Sequence, residues 1–288
     1  MKGMLITATF NMKKFIQYRP KVAEYDGEWQ WKSSGMGYIF QANNGHFVII
    51  DGGMDKEDPE RIINLLKEYS DDPVVDLWIV THPHKDHCNA LIFLSQNEDL
   101  KKQITINALC YNNPESFEER CDNDIKIMDK LPEVFGCKYY KPQSDDVIQV
   151  DDIKIHFYFV WSDIYIMGDS NDLSMIFDVG NDDFKVMITG DTAEYILDHI
   201  CNKFADRLHE LKSDVVQLPH HGLDGGSDRF FAAVGADTVL VPISMAGYRV
   251  MIADPEFGDG ANARTRVGAK KVYYSSLGTC EIEIPSNE

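Results

Sequence analysis

Seven consecutive residues, Thr81-His82-Pro83-His84-Lys85-Asp86-His87, carry three imidazoles and a carboxylate directly after the apolar run Val74 to Val80. Nitrogen and oxygen donors at this density suit zinc and its first-row neighbours. The whole chain has nine histidines in 288 residues, so a chance cluster of this spacing is a poor explanation. Pro83 argues against a helix through the motif, and therefore against the helical H-E-x-x-H arrangement. A strand end feeding a loop can instead aim His82 and His84 one way and Asp86 and His87 another. Two adjacent ions could then share the loop.

Three further positions fit such a centre. Asp191 follows the apolar stretch Phe184 to Thr189 and a glycine, Gly190, and is suited to bridge two ions. His220 and His221 precede Gly222 at the end of another apolar stretch. Adjacent side chains at a strand end point in different directions, so only one of this pair is expected on a given ion. His220 is favoured as the ligand and His221 as a group that supports it or donates a proton; the reverse assignment stays open. Asp51, before Gly52-Gly53, is either a turn aspartate or a group that orients an imidazole of the loop. Two-metal hydrolysis asks for about three protein ligands per ion, a bridging carboxylate and ions roughly 3.5–4 Å apart. Asp86, Asp191 and His221 carry the catalytic expectation. His82, His84, Asp86, His87, Asp191 and His220 carry the metal-binding one.

The elements that must position these residues follow from periodicity. Tyr38 to Phe40 and Phe47 to Ile50 flank Asn43-Asn44-Gly45 and read as a hairpin. Asp58 is expected to cap a helix with Pro59 at its first position and an apolar stripe through Ile62, Ile63, Leu65, Leu66 and Tyr69. A helix is expected from about Asn89, a strand over 104–109, and an acidic, solvated helix from Pro114 to about Leu131. Strands are expected around 153–160, 173–179, 184–189 and 214–218. Ala193 to Leu211 has helical spacing, and Ser227 caps a short helix closed by Gly235. Polar, ligand-type residues recur at strand ends, where layered α/β folds place their sites.

Composition narrows the classes. A chain of 288 residues with 44% hydrophobic content is long enough for one substantial core, and a single domain over 1–288 is expected. No apolar stretch reaches the roughly 20 residues a membrane-spanning helix needs, and the N-terminus does not resemble a signal peptide, so a cytoplasmic protein is expected. The six cysteines form no C-x-x-C pair. Cys88, next to His87, is read as packing. Twenty-eight basic against 47 acidic residues leave a net charge of −19, which disfavours long duplex nucleic acid. A small or short phosphate ester remains compatible, because bound cations reverse the local sign.

Taken together, Asp51-Gly52-Gly53, the H-x-H-x-D-H pattern at 82–87, Gly190-Asp191 and His220-His221-Gly222 resemble the metallo-β-lactamase superfamily, in family order over about residues 35–280. Asn171-Asp172-Leu173-Ser174 adds a resemblance to the β-lactamase-like domain of DNA-internalisation competence proteins and their stand-alone relatives. The resemblance implies an α/β (α+β) fold, a four-layer αββα sandwich, two divalent ions (Zn²⁺ or Mn²⁺) and hydrolysis of a phosphodiester or other phosphate ester. A carboxylic ester, lactone, thioester or amide substrate is the alternative, and a catalytically degenerate binding module a third reading.

The chain also departs from the family pattern. A third histidine for the first ion is missing: Asn171 stands where it is expected, and His156, the only histidine between 87 and 191, lies inside an apolar strand. The serine after His-His-Gly and a late His-Pro are also missing, the stretch 253–260 standing near the latter. Lys85, Arg229, Arg249, Arg264 and Arg266 are the cations available to a phosphate.

Overall fold

The computed structural model describes residues 12–30, 34–115, 119–164, 170–254 and 267–284. The first half of the chain runs β1 (Lys14–Gln17), β2 (Gly37–Gln41), β3 (Phe47–Asp51), α1 (Asp58–Lys67), β4 (Val74–Ile79), α2 (Lys85–Ser95), α3 (Glu98–Lys101), β5 (Thr105–Ile106), β6 (Ala108–Cys110), α4 (Glu119–Met128), α5 (Leu131–Phe135) and β7 (Lys138–Tyr140). The second half runs β8 (Val147–Val150), β9 (Ile153–Phe159), β10 (Ile176–Gly180), β11 (Lys185–Ile188), α6 (Glu194–Lys203), β12 (Val215–Gln217), α7 (Asp228–Val234), β13 (Thr238–Val241), α8 (Met245–Ala253), β14 (Lys271–Tyr274) and β15 (Cys280–Ile282).

Two sheets result. One has the order β15-β1-β2-β3-β4-β6-β7, with β5 also paired to β4; the other has the order β14-β13-β12-β11-β10-β9-β8. In both, hairpin-linked antiparallel strands give way to parallel ones. The change falls between β3 and β4 in the first sheet and between β11 and β12 in the second. Parallel neighbours need crossovers, which α1 supplies in the first sheet and α6 and α7 in the second.

Alternation along the strands builds the layers. Tyr38, Phe40, Val48, Ile50, Leu77 and Ile79 face Ile155, Phe157, Phe177, Val179, Val186 and Ile188 between the sheets. The intervening Ile39, Ile49 and Trp78 pack outward on Ile62, Ile63 and Leu66 of α1 and Leu91 and Leu94 of α2. On the other side Tyr158, Ile176, Met187 and Val216 pack on Ile196, Leu197 and Ile200 of α6 and Phe230 and Phe231 of α7. Strands buried on both faces read as continuous apolar runs, which is how β3, β4 and β11 stand out in the sequence. The expected four-layer αββα sandwich is the fold observed.

Several local expectations need correction. α2 begins at Lys85, not near Asn89, with extended His84 as its N-cap residue (φ −80°, ψ 150°). Proline disfavours helix at the residue before it, so Pro83 constrains His82 and leaves the helix free to start two positions later. Asp86 and His87 therefore sit on the first turn of a helix. Glu57 holds the N-cap position of α1. The Asp58 carboxylate turns the other way, accepting from Tyr18 Oη at 2.8 Å and Lys21 N at 2.7 Å. The 104–109 strand is split into β5 and β6, and the 193–211 helix ends at Lys203, followed by a 3-10 segment kinked at Arg207. Ser227 caps α7 through its hydroxyl, and Gly235 closes it in the left-handed region, as expected.

Candidate metal centre

Four connections meet at one end of the sandwich: β3 to α1, β4 to α2, β11 to α6 and β12 to α7. β4 delivers Thr81 and His82, the extended cap delivers His84, and the first turn of α2 delivers Asp86 and His87. The helix N-terminus favours a carboxylate there. From the other sheet come Asp191 after β11 and His221 after β12.

Asp51 and Thr81 set the orientation of the imidazoles. Asp51 is fully buried at the end of β3 in the left-handed region (φ 55°), a conformation that side-chain-bearing residues adopt mainly at constrained sites. Its Oδ1 accepts from Thr81 N at 2.8 Å; its Oδ2 accepts from Thr81 Oγ1 at 2.8 Å and from His87 Nδ1 at 2.7 Å. With its proton committed to Asp51, Thr81 Oγ1 accepts from His82 Nδ1 at 3.2 Å. His221 Nδ1 donates to Pro242 O at 2.7 Å. Each Nδ1–H is thus spent on a partner outside the cluster. This fixes the ring orientations and leaves Nε2 of His82, His87 and His221 facing the centre.

Those nitrogens converge on one carboxylate oxygen. Asp191 Oδ2 lies 3.1 Å from His87 Nε2, 3.2 Å from His221 Nε2 and 3.9 Å from His82 Nε2. Asp86 Oδ2 lies 3.0 Å from His221 Nε2 and 3.7 Å from His87 Nε2. Ligand atoms about 2.0–2.2 Å from a tetrahedral ion must stand about 3.3–3.6 Å apart, and the four edges just given for the Asp86–His87–Asp191–His221 group bracket that spacing. His82, His84 and Asp191 make a second group, so Asp191 belongs to both. His82 Nε2 and Asp191 Oδ1 are buried with no hydrogen-bond partner. Buried polar atoms are rarely left unsatisfied, and a cation satisfies both. The residues present fit two divalent ions sharing Asp191.

Electrostatics point the same way. Burial favours the neutral acids, but the imidazoles of His221 and His87 outweigh it and hold Asp191 well below the usual carboxylate range. Asp86 is lowered for the same reason. Burial opposes a charge on His87, yet the carboxylates of Asp191, Asp86 and Asp51 raise it well above its ordinary value. His221 is pushed up to about 10, burial again being outweighed by Asp191 and Asp86. His82 is held well below its ordinary value, first by burial and then by the neighbouring His87 and His84. The cluster thus attracts positive charge and already holds one imidazole neutral.

Sequence and structure disagree on the His220–His221 pair. His221, not His220, enters the cluster. His220 points outward, with Nδ1 at 2.6 Å from Asp224 Oδ1. Both residues lie in the left-handed region (φ 44° and 60°), a double reversal that no regular strand end predicts. It sends the two rings apart and turns the second one inward.

The Asn171 carbonyl accepts from Ser174 N at 3.0 Å, and the neighbouring Ser170 hydroxyl meets His84 Nε2. His156 is a strand residue, as expected, its ring tilted against that of Tyr158 with the centroids 4.4 Å apart. Cys88 is a fully buried thiol that burial, with Asp124, Asp86 and Asp51, keeps neutral. Arg229 donates to Asn202 Oδ1 and Cys201 O, and Arg249 pairs with Asp26 at 2.7 Å. Lys85 is exposed at the first position of α2, between His84 and Asp86. Arg264, Arg266 and most of the 253–260 stretch lie outside the described residues.

Sequence reasoning missed three groups. Thr81 is the hydroxyl around which Asp51, His82 and His87 are arranged. Ser174 Oγ accepts from Asp191 N at 2.9 Å. Gln217, fully buried, accepts at Oε1 from Thr189 N and Gly190 N (2.9 and 2.8 Å) and donates from Nε2 to Gly190 O at 2.9 Å, clamping the turn that presents Asp191. The available signal was a lone polar residue in the apolar stretch 215–218.

The chain matches the sequence pattern of the metallo-beta-lactamase superfamily over residues 34–222. No curated protein matches it. Among solved structures, the metallo-beta-lactamase fold protein YhfI from Bacillus subtilis superposes with a TM-score of 0.57 at 16% identity, covering 93% of this chain and 100% of that one. Tm1679, a metal-dependent hydrolase of the beta-lactamase superfamily, gives 0.55 at 13% identity over 95% and 100%. CmlA, a diiron beta-hydroxylase from Streptomyces venezuelae, gives 0.54 at 10% identity over 95% of this chain and 54% of that one.

Proposed function

The chain belongs to the metallo-β-lactamase superfamily, and on that premise we propose that it is a metal-dependent hydrolase whose two divalent ions, Zn²⁺ or Mn²⁺, share Asp191 and whose substrate is a small or short phosphate ester. The observation that carries the reading is the pair of ligand groups with one carboxylate in common. Divalent ions held there supply Lewis acidity for attack by water on a phosphoryl centre.

The protein's own contribution is positioning. Asp51, through Thr81 and His87, and the Pro242 carbonyl, through His221, lock the imidazoles before any ion arrives. Asp191 ties the two ion positions to one spacing. The N-terminus of α2 puts partial positive charge beside the cluster, which suits an anionic ester. The net charge of −19 works against long polyanions, so a short substrate is favoured over extended duplex.

The test is elemental mass spectrometry on protein purified without chelator, together with a panel of chromogenic phosphodiesters, phosphomonoesters and carboxylic esters. About two equivalents of metal and cleavage of a phosphate ester are expected, both lost in Asp191→Ala. Cleavage of carboxylic esters alone would move the substrate class. A chain that takes up no ion would leave the binding-module reading standing.

A further inference from the structure

Residues 34–37, which run into the start of β2, reach the metal centre at three points. Ser34 forms an antiparallel bridge with Ile243, the residue after Pro242, whose carbonyl accepts from His221 Nδ1 at 2.7 Å. Met36 N donates to the Asp86 carbonyl at 3.3 Å. Gly37 pairs with Asp51, the carboxylate that accepts from His87 Nδ1 at 2.7 Å. One short segment thus holds Asp86 directly, and His87 and His221 through their anchors. Asp86 and His221 come from opposite halves of the chain, yet Asp86 Oδ2 stands 3.0 Å from His221 Nε2.

The segment is also pressed from behind. A Cβ on Gly35 would come within 2.9 Å of Val22 Cγ1 and 3.3 Å of Pro20 Cβ, and one on Gly37 within 2.8 Å of Tyr18 Cδ1. Glycine permits this close approach. Ser34, Gly35 and Met36 are buried, which leaves them little room to shift. Tyr18, Pro20 and Val22 belong to the connection from β1 to β2, whose described part is anchored in both halves. Lys21 N donates to Asp58 Oδ1 of α1 at 2.7 Å, and Arg61 of α1 pairs with Glu24 at 2.6 Å. In the second half, Ala246 N of α8 donates to Tyr25 O at 2.9 Å, and the Trp29 ring lies against Gly247.

We propose that residues 34–37 brace the centre by setting the span between Asp86 and His221 across the two halves, with Gly35 as the positioning residue. The brace stands on the contacts just given; only its effect on ions rests on the metal reading above. Gly35 does not use the left-handed region, so a side chain there meets Val22 and Pro20 rather than a forbidden backbone. It displaces the segment that carries all three contacts. The Asp86–His221 edge then departs from the spacing one ion needs, and metal binding weakens.

The test is a reciprocal rescue with Gly35→Ala, Val22→Ala and the double variant, each as the full chain. Val22→Ala removes Cγ1, the nearer obstacle, and leaves the contact with Pro20 Cβ, which a shift of a few tenths of an ångström relieves. Zn²⁺ affinity is read by chelator competition and ligand geometry by cobalt(II) absorption. Hydrogen exchange of the metal-free chain reads the brace without any ion. Gly35→Ala should weaken Zn²⁺ about tenfold, shift the cobalt(II) bands and speed exchange in peptides covering both 84–88 and 241–244, with 228–234 unchanged. Val22→Ala alone should stay within about twofold of wild type in affinity. The double variant should recover affinity, bands and exchange, although it has lost more packing than either single variant. Should Gly35→Ala alone fail to fold, the double variant must still fold and match wild type. A loss of packing alone has the opposite signature, with the double variant worst. That result overturns the proposal, as does a Gly35→Ala chain that matches wild type in exchange, or in Zn²⁺ affinity and cobalt(II) bands. If the wild-type chain binds no ion, the metal reading fails and the exchange measurement still decides the brace.

Discussion

At the scale of single residues, the centre separates groups that face the ions from groups that aim them. The ring directions of His220 and His221 make the sharpest division. His221→Ala should lose most bound metal and any hydrolytic activity. His220→Ala, which removes the contact with Asp224 and none of the clustered ligand atoms, should keep the metal; elemental analysis of the two purified variants decides it. Asp51 acts at one remove. Asp51→Asn would put an N–H₂ or a single acceptor where two carboxylate oxygens accept three hydrogen bonds. Metal affinity should fall about 10–100-fold, read by chelator competition, while the ligand atoms themselves stay in place. The ligand types were legible in the sequence because three imidazoles and a carboxylate fall within residues 82–87 at one strand end and two adjacent imidazoles, His220 and His221, at another. Their ring directions were not, because His221 depends on a left-handed reversal and on the carbonyl of Pro242 in a distant strand end, neither of which leaves a mark on local sequence.

Between residue and molecule stand the turns that deliver the ligands. Gly190 shows what such a turn requires. It has φ +58°, and a Cβ there would come within 2.6 Å of Ser174 Oγ and 3.4 Å of Thr81 Cβ. Left-handed backbone costs a side-chain-bearing residue about 1–2 kcal/mol before any clash. Gly190→Ala should therefore lose at least that much stability in urea denaturation with chelator present, and it should loosen metal binding by moving Asp191. A loss below about 0.5 kcal/mol would mean the turn is softer than its contacts suggest. Strands buried on both faces and helices with a clear apolar stripe were readable from the sequence: β2, β3, β4, β9, α1 and α7 all stand where their patterns put them. Elements shaped by distant partners were not. β1 and β15 are short and make sense only once paired to each other and to β2. α2 starts earlier than its apolar run because its first turn carries ligands rather than core residues.

For the molecule as a whole, the site is a property of two sheets in contact. His82, His84, Asp86 and His87 come from the first half of the chain, Asp191 and His221 from the second. Ions that bind only the folded state add stability by mass action, about 2.7 kcal/mol at a hundredfold excess over the dissociation constant. Stripping the metal should lower the thermal midpoint by several degrees, measurable by calorimetry with and without chelator; an unchanged midpoint would mean the ions contribute nothing to holding the halves together. The αββα layering was accessible through the resemblance carried by the motifs at 51–53, 82–87, 190–191 and 220–222; periodicity marked strands and helices but not how they layer. The seam itself was not, since no local pattern states which strand ends will meet. That seam also sets a clock. During refolding, a chain with only its first sheet formed owns four ligands but lacks the carboxylate common to both ion positions, so ion capture waits for the halves to dock. A metal-sensitive dye followed beside tryptophan fluorescence, in a variant that keeps Trp78 of the first half as its one tryptophan, would time assembly separately from local folding.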